Sequence, residues 1–157
     1  TFFNQKTNKM KKIFALMACL FALNATIYAD NDKLISVNEL PKNAQSFIKE
    51  YFSDLEVTYA KKEIDDLVLV EGYEVLFSNG TKVEFSKKGE WENVENKEGM
   101  VPIALIPTEI MNFLNQSKTD VKIIEIDKDK RGEIEVKVLG GLEYEFDKNF
   151  NLVDIND

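Results

Sequence analysis

The chain has no histidine and a single cysteine, Cys19. Without an imidazole, nucleophile-plus-histidine catalysis is excluded, and the two shortages together exclude His- or Cys-ligated zinc and covalent haem attachment. Long apolar runs are missing too. The run from Ile13 to Leu23 is too short to cross a bilayer. It follows Lys11 and Lys12 and leads to small residues ending at Ala25 and Ala29, the layout of a secretory signal peptide. Cleavage is expected after Ala29, with Ala25 as the alternative. Leu16-Met17-Ala18-Cys19 has the outline of a lipobox, but acylation at Cys19 would leave only Ile13 to Ala18 as the apolar segment, shorter than the roughly seven residues such a segment needs. Simple cleavage beyond Cys19 is the preferred reading. Residues 1–29 are therefore set apart as upstream extension and signal peptide.

Removing those 29 of 157 residues leaves 128 with no cysteine, so the secreted chain must stand on its core rather than on disulfides. That length suffices for one domain or two small lobes burying roughly two-thirds of the unfolded surface. The full sequence is 44% hydrophobic with 11 Phe and 5 Tyr, of which seven Phe and four Tyr follow residue 29 and supply the large side chains. Positive charge is what the remainder lacks. The first 29 residues hold four Lys and no acid, so 16 basic residues face 28 acidic ones and the net charge moves from −8 to −12. Such a surface repels nucleic acid and anionic lipid and favours basic partners or cations.

What is present is alternation. Ile134, Val136 and Val138 alternate with Glu133, Glu135 and Lys137, and Leu142, Tyr144 and Phe146 alternate with Glu143, Glu145 and Asp147. A period of two sends one set to a core and the other to water, and Gly140-Gly141 supplies the positive φ angles of a tight hairpin between them. The pattern recurs. A shift of 61 positions lays Glu74-Val75 on Glu135-Val136, Phe77 on Val138, Gly80 on Gly141, Phe85 on Phe146, Trp91 on Leu152 and Val94 on Ile155. Upstream, a shift of 66 lays Leu40-Pro41 and Phe47-Ile48 on Ile106-Pro107 and Phe113-Leu114, which leaves a five-residue excess between Ala60 and Glu71.

Each copy predicts a helix and then four antiparallel strands. Pro41 suits a first helical turn, and Ala44, Phe47, Ile48, Tyr51 and Phe52 form one apolar helical face. Strands follow at Leu55–Lys61, Gly72–Ser78, Thr81–Ser86 and Glu90–Val94, with Asn79-Gly80 as a hairpin signal. In the second copy a helix from Thr108 to about Ser117 leads to a strand at Val121–Ile126 and a turn at Asp127–Gly132. The expected fold is α+β, two tandem repeats that each pack a helix on a four-stranded antiparallel sheet. Repeat 1 spans residues 30–97 and repeat 2 residues 98–157.

The residues Leu40-Pro41, Phe47-Ile48, Tyr73-Glu74-Val75, Asn79-Gly80, Val83-Glu84-Phe85, Gly89 and Trp91, with Ile106-Pro107, Phe113-Leu114 and Leu142 to Asp147, resemble the PepSY-like proteins, also described as beta-lactamase-inhibitor-like. The resemblance covers about residues 38–156. It implies a secreted or periplasmic, non-catalytic binding module, and the family's name implies inhibition of a partner protein as one form of that activity. Its motifs are structural, and they carry no catalytic residue or cofactor.

No enzyme site is expected from the residues themselves. Glu143 and Glu145 share a strand face but read as a solvated pair. Asp127-x-Asp129-x-Arg131-Gly132 departs from a calcium loop at Arg131 and at Val138, so no metal site and no cofactor is assigned. The candidate binding surface is the polar sheet face, with Glu74, Lys82, Glu84, Glu135, Lys137, Glu143 and Glu145, offered to a protein or peptide partner of basic character. Nucleic acid and a membrane span are not expected. The alternative is a small-ligand or cation carrier in which Asp65, Asp66, Asp127 and Asp129 gather a cation in the first-to-second-strand loops. The expected location is periplasmic or extracellular.

Overall fold

The alternating stretches become nine strands of one sheet. The structure, a computed structural model, describes residues 32–65, 67–117 and 121–157. The signal-peptide segment, with Cys19 and the expected cleavage points, lies outside the described residues, as does Asp66. In chain order the elements are β1 (Lys33–Ile35), α1 (Lys42–Tyr51), β2 (Val57–Ile64), β3 (Val70–Phe77), β4 (Lys82–Ser86), β5 (Trp91–Glu95), α2 (Thr108–Ser117), β6 (Ile123–Lys128), β7 (Ile134–Val138), β8 (Glu143–Phe146) and β9 (Leu152–Asn156). Spatial order equals chain order, and every neighbouring pair is antiparallel.

That single sheet corrects the expected fold. Two separate four-stranded sheets, each with its own helix, would leave β5 and β6 as free edges. Instead Asn93, Val94 and Glu95 pair with Asp127, Ile126 and Glu125. The backbone continues the seam: Asn96 N–H donates to the Ile124 carbonyl at 2.7 Å and Val101 N–H to the Ile123 carbonyl at 3.0 Å. An edge strand presents a row of unsatisfied N–H and C=O groups, and joining two edges removes both rows. The lead-in also contributes, since Lys33–Ile35 adds β1 on the outer side of β2. The α+β class stands, as one sheet with two short helices.

Both helices pack on the same face. Across the sheet Ile35, Ala60, Val75, Val83, Val94, Ile126, Val136, Tyr144 and Ile155 stand opposite one another in one cross-strand row. Its centre, from Val75 to Val136, is fully buried. Ala44, Phe47 and Ile48 of α1 face this side. Phe47 meets Phe85 edge-on at 5.6 Å and Trp91 at 6.0 Å, while Phe52 stacks on Phe77 at 4.7 Å. Ile110 and Leu114 of α2 are buried, and Phe113 meets Phe146 at 5.8 Å. Val94 and Ile155, superposed by the 61-residue shift, differ in burial: Val94 sits inside the seam, whereas Ile155 lies on the terminal strand β9 and is exposed. Trp91 is half-buried and carries the Lys128 ammonium 4.3 Å from its ring centre.

The six tight hairpins repeat one turn. In Asp65–Leu69, Phe77–Thr81, Ser86–Glu90, Asp129–Glu133, Val138–Leu142 and Asp147–Asn151, the first N–H donates to the fifth carbonyl, and the fourth N–H donates to the first carbonyl. The fourth residue is left-handed, as in the three-residue hairpin that closes with a bulge. Four turns place glycine there, namely Gly80, Gly89, Gly132 and Gly141; the other two hold Val68 and Phe150, each at φ 63°. Gly89 is required twice over, because a Cβ there would also stand 2.6 Å from Pro41 Cβ at the start of α1. Phe150 is partly buried against the core, which offsets its strain, whereas Val68 is 76% exposed.

Two outcomes follow. Ile126→Ala, at the centre of the seam, should cost about 2–5 kcal/mol while unfolding remains one calorimetric transition; two resolved transitions would mean that the halves unfold separately. Val68→Gly should raise stability by about 0.5–1 kcal/mol, the net of relieving a left-handed β-branched residue and freeing the unfolded chain. Phe150→Gly should give no such gain in the same chemical denaturation assay.

Candidate functional site: a carboxylate-lined sheet face

The ring contacts of both helices fall on the apolar face, and the opposite face of the sheet is polar. The register that aligns the apolar row also aligns the residues one step along each strand. Lys61, Glu74, Glu84, Asn93, Asp127, Glu135, Glu145 and Asp154 form one cross-strand row over eight strands. A second row holds Lys82, Glu95, Glu125, Lys137, Glu143 and Asn156. With Glu63 beside Lys61 on β2, ten carboxylates share the face with three lysines, so positive charge cannot neutralise it from within.

The lysines are already engaged. Lys61 reaches Asp32 at 2.9 Å and Glu74 at 3.6 Å, Lys82 reaches Glu84 at 2.9 Å and Glu95 at 3.6 Å, and Lys137 reaches Glu143 at 2.6 Å. Neutral donors cover part of the remainder. The Tyr59 hydroxyl donates to Glu74 at 2.6 Å, Asn93 Nδ2 donates to Glu125 at 2.9 Å and to Asp127 at 2.8 Å, and Asn156 Nδ2 donates to Glu145 at 2.9 Å. Spending both amide hydrogens on the β6 carboxylates leaves the buried Asn93 Oδ1 with no partner.

Glu135 is the centre of the imbalance. It stands opposite Asp127 on β6 and opposite Glu145 on β8. Among the described residues no hydrogen bond or ion pair reaches its carboxylate. Burial, and then the charges of Asp127, Glu143, Glu145 and Glu125, push its pKa up to about 8. Asp127 is pushed up to about 7 by burial, against the Asn93 hydrogen bond and with Glu125 and Glu84 adding to the rise. Glu63 is likewise raised to about 7 by burial, with Lys61 opposing. Burial disfavours the charged form in all three, and for Glu135 and Asp127 the acids facing them add to it, so these groups hold protons that free carboxylates release.

The seven residues of the expected surface, Glu74, Lys82, Glu84, Glu135, Lys137, Glu143 and Glu145, all lie on this one face. It is less open than expected: Glu74 and Glu145 are buried and the other five are half-buried. Glu63, Glu95, Glu125 and Asp127 belong to it as well. Glu125 and Asp127 flank Ile126 with the strand period, although Asp127 also opens the turn that the sequence predicts at Asp127–Gly132.

Of the four aspartates of the cation-carrier alternative, Asp66 lies outside the described residues, and Asp65 and the β6 end of the sheet are not brought together. Asp65 spends its carboxylate on the N–H groups of Leu67 and Leu69. Asp129 bonds the Arg131 and Glu133 N–H groups and the Arg131 guanidinium. Their hairpins are four strands apart, roughly 19 Å at about 4.8 Å per strand. Among the described residues no group of three or more acidic side chains is arranged to hold a metal ion.

A sequence profile described as "Putative beta-lactamase-inhibitor-like, PepSY-like" matches residues 71–154, more than half of the chain. The chain belongs to the PepSY-like family. Solved structures agree with that membership. A "putative calcium-regulated periplasmic protein" from Bacteroides thetaiotaomicron is 46% identical with a TM-score of 0.76, covering 83% of this chain and 100% of that one. A "putative periplasmic protein from DUF2874 family" from Bacteroides vulgatus is 43% identical with a TM-score of 0.74 and the same coverage, 83% and 100%. A "putative periplasmic protein of unknown function" from Bacteroides vulgatus is 30% identical with a TM-score of 0.73, covering 81% and 100%. No curated protein matches. In this PepSY-like chain, no helix among the described residues is long and apolar enough to cross a membrane.

The raised carboxylates set a pH response. The folded protein keeps protons on Glu135, Asp127 and Glu63 that the unfolded chain releases near the ordinary values of 4.5 and 3.8. Stability should therefore fall as pH rises from about 4.5 to about 8, because the native state binds more protons over that window. Melting temperature at low ionic strength should drop between pH 5.5 and pH 8.5, and Glu135→Gln should flatten the drop and melt higher at pH 8.5. A wild-type melting temperature that is level or rising over this range would contradict the account.

Proposed function

We propose that this PepSY-like chain is a non-catalytic periplasmic binding module whose carboxylate-lined face takes a cationic partner, a basic segment of a protein or peptide. One observation carries the reading: Glu135 lies between Asp127 and Glu145 in strand register, and Lys137, two residues along β7, is bonded to Glu143 rather than to it. A lysine or arginine from a partner would supply the missing charge and release the protons held there. The spread of the acids supports an extended ligand, since they run in rows over several strands rather than converging. The absence of histidine and the periplasmic description of all three structural relatives support the class and the compartment. Inhibition of a partner, implied by the family description, is one consequence such binding could have.

A cation carrier is the second reading, and a specific observation favours it: the 46% identical relative is described as calcium-regulated. In this chain the ion would have to use the sheet face, because the loop aspartates lie apart. The two readings separate readily. Calcium that binds the native state must raise its melting temperature, whereas an extended basic partner requires several contacts.

Binding of fluorescein-labelled octalysine at pH 8 and low salt, followed by anisotropy, tests the main reading. Glu135→Lys should weaken it about tenfold or more, equivalent to about 1.4 kcal/mol, while Glu50→Lys, the same charge change at an exposed position of α1, should stay within about twofold. Equal losses would reduce the effect to net charge and remove the face from consideration. A calcium-dependent rise in melting temperature, abolished by Glu135→Gln, would favour the cation reading instead.

A further inference from the structure

The tip of the β2–β3 hairpin exposes three consecutive aliphatic side chains, Leu67 at 77%, Val68 at 76% and Leu69 at 59%. An exposed apolar tip on a solvated turn opposes the hydrophobic effect. Hydrogen bonds from Asp65 hold the described residues of the turn. Asp65 Oδ1 accepts the Leu67 N–H at 2.9 Å and the Leu69 N–H at 2.7 Å, and the Asp65 backbone closes the turn at both ends. The strain is specific to this turn. Val68 occupies the left-handed position that four sister turns give to glycine, and it lacks the core packing that supports Phe150 in the remaining one. Strain that packing does not offset is concentrated at sites of function. Acidic residues flank the tip, with Glu63 and Asp65 before it and Glu71 after it, and Glu63 belongs to the carboxylate face.

We infer that Leu67–Val68–Leu69 is a preformed insertion element that seats in an apolar cleft, rimmed by basic side chains, on a protein partner. The protruding tip fits a concave surface, the braced turn lowers the ordering cost of binding, and the flanking acids demand a positive rim. Those acids also disfavour an anionic lipid surface, which would otherwise accept three aliphatic side chains. The inference extends the proposed binding function and rests on it only for the basic character of the partner.

The test places benzoylphenylalanine at Leu67 of the full chain in the cells that make it, with photo-crosslinks mapped by mass spectrometry. The expected result is a crosslink to one protein, at residues lining an apolar cleft bordered by lysine or arginine. With that protein purified, Leu67→Ser/Leu69→Ser should weaken binding at least tenfold at an unchanged melting temperature, and Val68→Gly should weaken binding while raising the melting temperature. A crosslink to a second copy of the chain, to lipid or to no macromolecule overturns the inference, and so does binding by both variants within twofold of wild type. Glu135→Lys, measured in parallel, keeps the two proposals apart: loss with Glu135→Lys alone leaves the sheet face standing without the tip, and loss with the tip variants alone leaves the tip without the face.

Discussion

The antiparallel pairing of β5 with β6 is the constraint on which the remaining structure depends. Only three residue pairs form it, yet they set the phase of the whole sheet. Side chains alternate with a period of two, so a slip of one residue at this seam would turn Ile126 outward and bring Glu125 and Asp127 onto the helices. With Val94 opposite Ile126, the apolar row runs unbroken from β1 to β9, and both helices rest on one continuous apolar surface. The seam also removes two strand edges from the middle of the molecule, where neither helix could satisfy their backbone groups.

The same register dictates the chemistry of the other face. Once the valines and isoleucines are aligned, the intervening residues are aligned as well, and in this sequence those are largely glutamates and aspartates. Carboxylates that would repel weakly on separate surface loops are held at cross-strand distances of roughly 5 Å. The face is relieved by three lysines, a tyrosine hydroxyl and two asparagine amides. None of these groups bonds to Glu135, and burial among acidic neighbours makes its folded state favour the protonated form. The apolar core and the charged surface are therefore one feature seen from two sides, and relocating either requires relocating both.

Much of this was legible in the residues. Alternation gave eight of the nine strands, the Ala44–Phe47–Ile48 spacing gave α1, and Asn79-Gly80 marked its hairpin. The seven residues expected on one polar face are indeed coplanar because period and register are local properties. The seam was not legible. It joins strands separated by a connection that includes α2, and nothing local in Asn93–Glu95 distinguishes an interior strand from an edge. Asp127 was misassigned for a related reason: Asp-x-Asp followed by Gly132 carries a turn signal, while β6 continues to Lys128 because β7 pairs with it that far. Val68 at a left-handed position was invisible as well, since Asp65–Leu69 lacks the glycine that marks four of its five sister turns.

A proton and a cationic side chain would satisfy the same need at Glu135, and this ties ligand binding to pH. An ammonium or guanidinium docked as proposed favours the ionised carboxylate, so its arrival expels the proton, and by linkage a proton already present weakens the incoming group to the same extent. Affinity for a basic partner therefore increases as pH rises through the pKa of about 8, while the stability of the unliganded fold declines over the range below it. The two trends oppose each other and have one origin, a carboxylate whose cross-strand neighbours on either side are acidic. A partner bound through hydrophobic contacts alone would show neither the proton release nor the rising affinity. Because protons and ligand compete for the same charge, the state with the least stable sheet is also the one best prepared to bind.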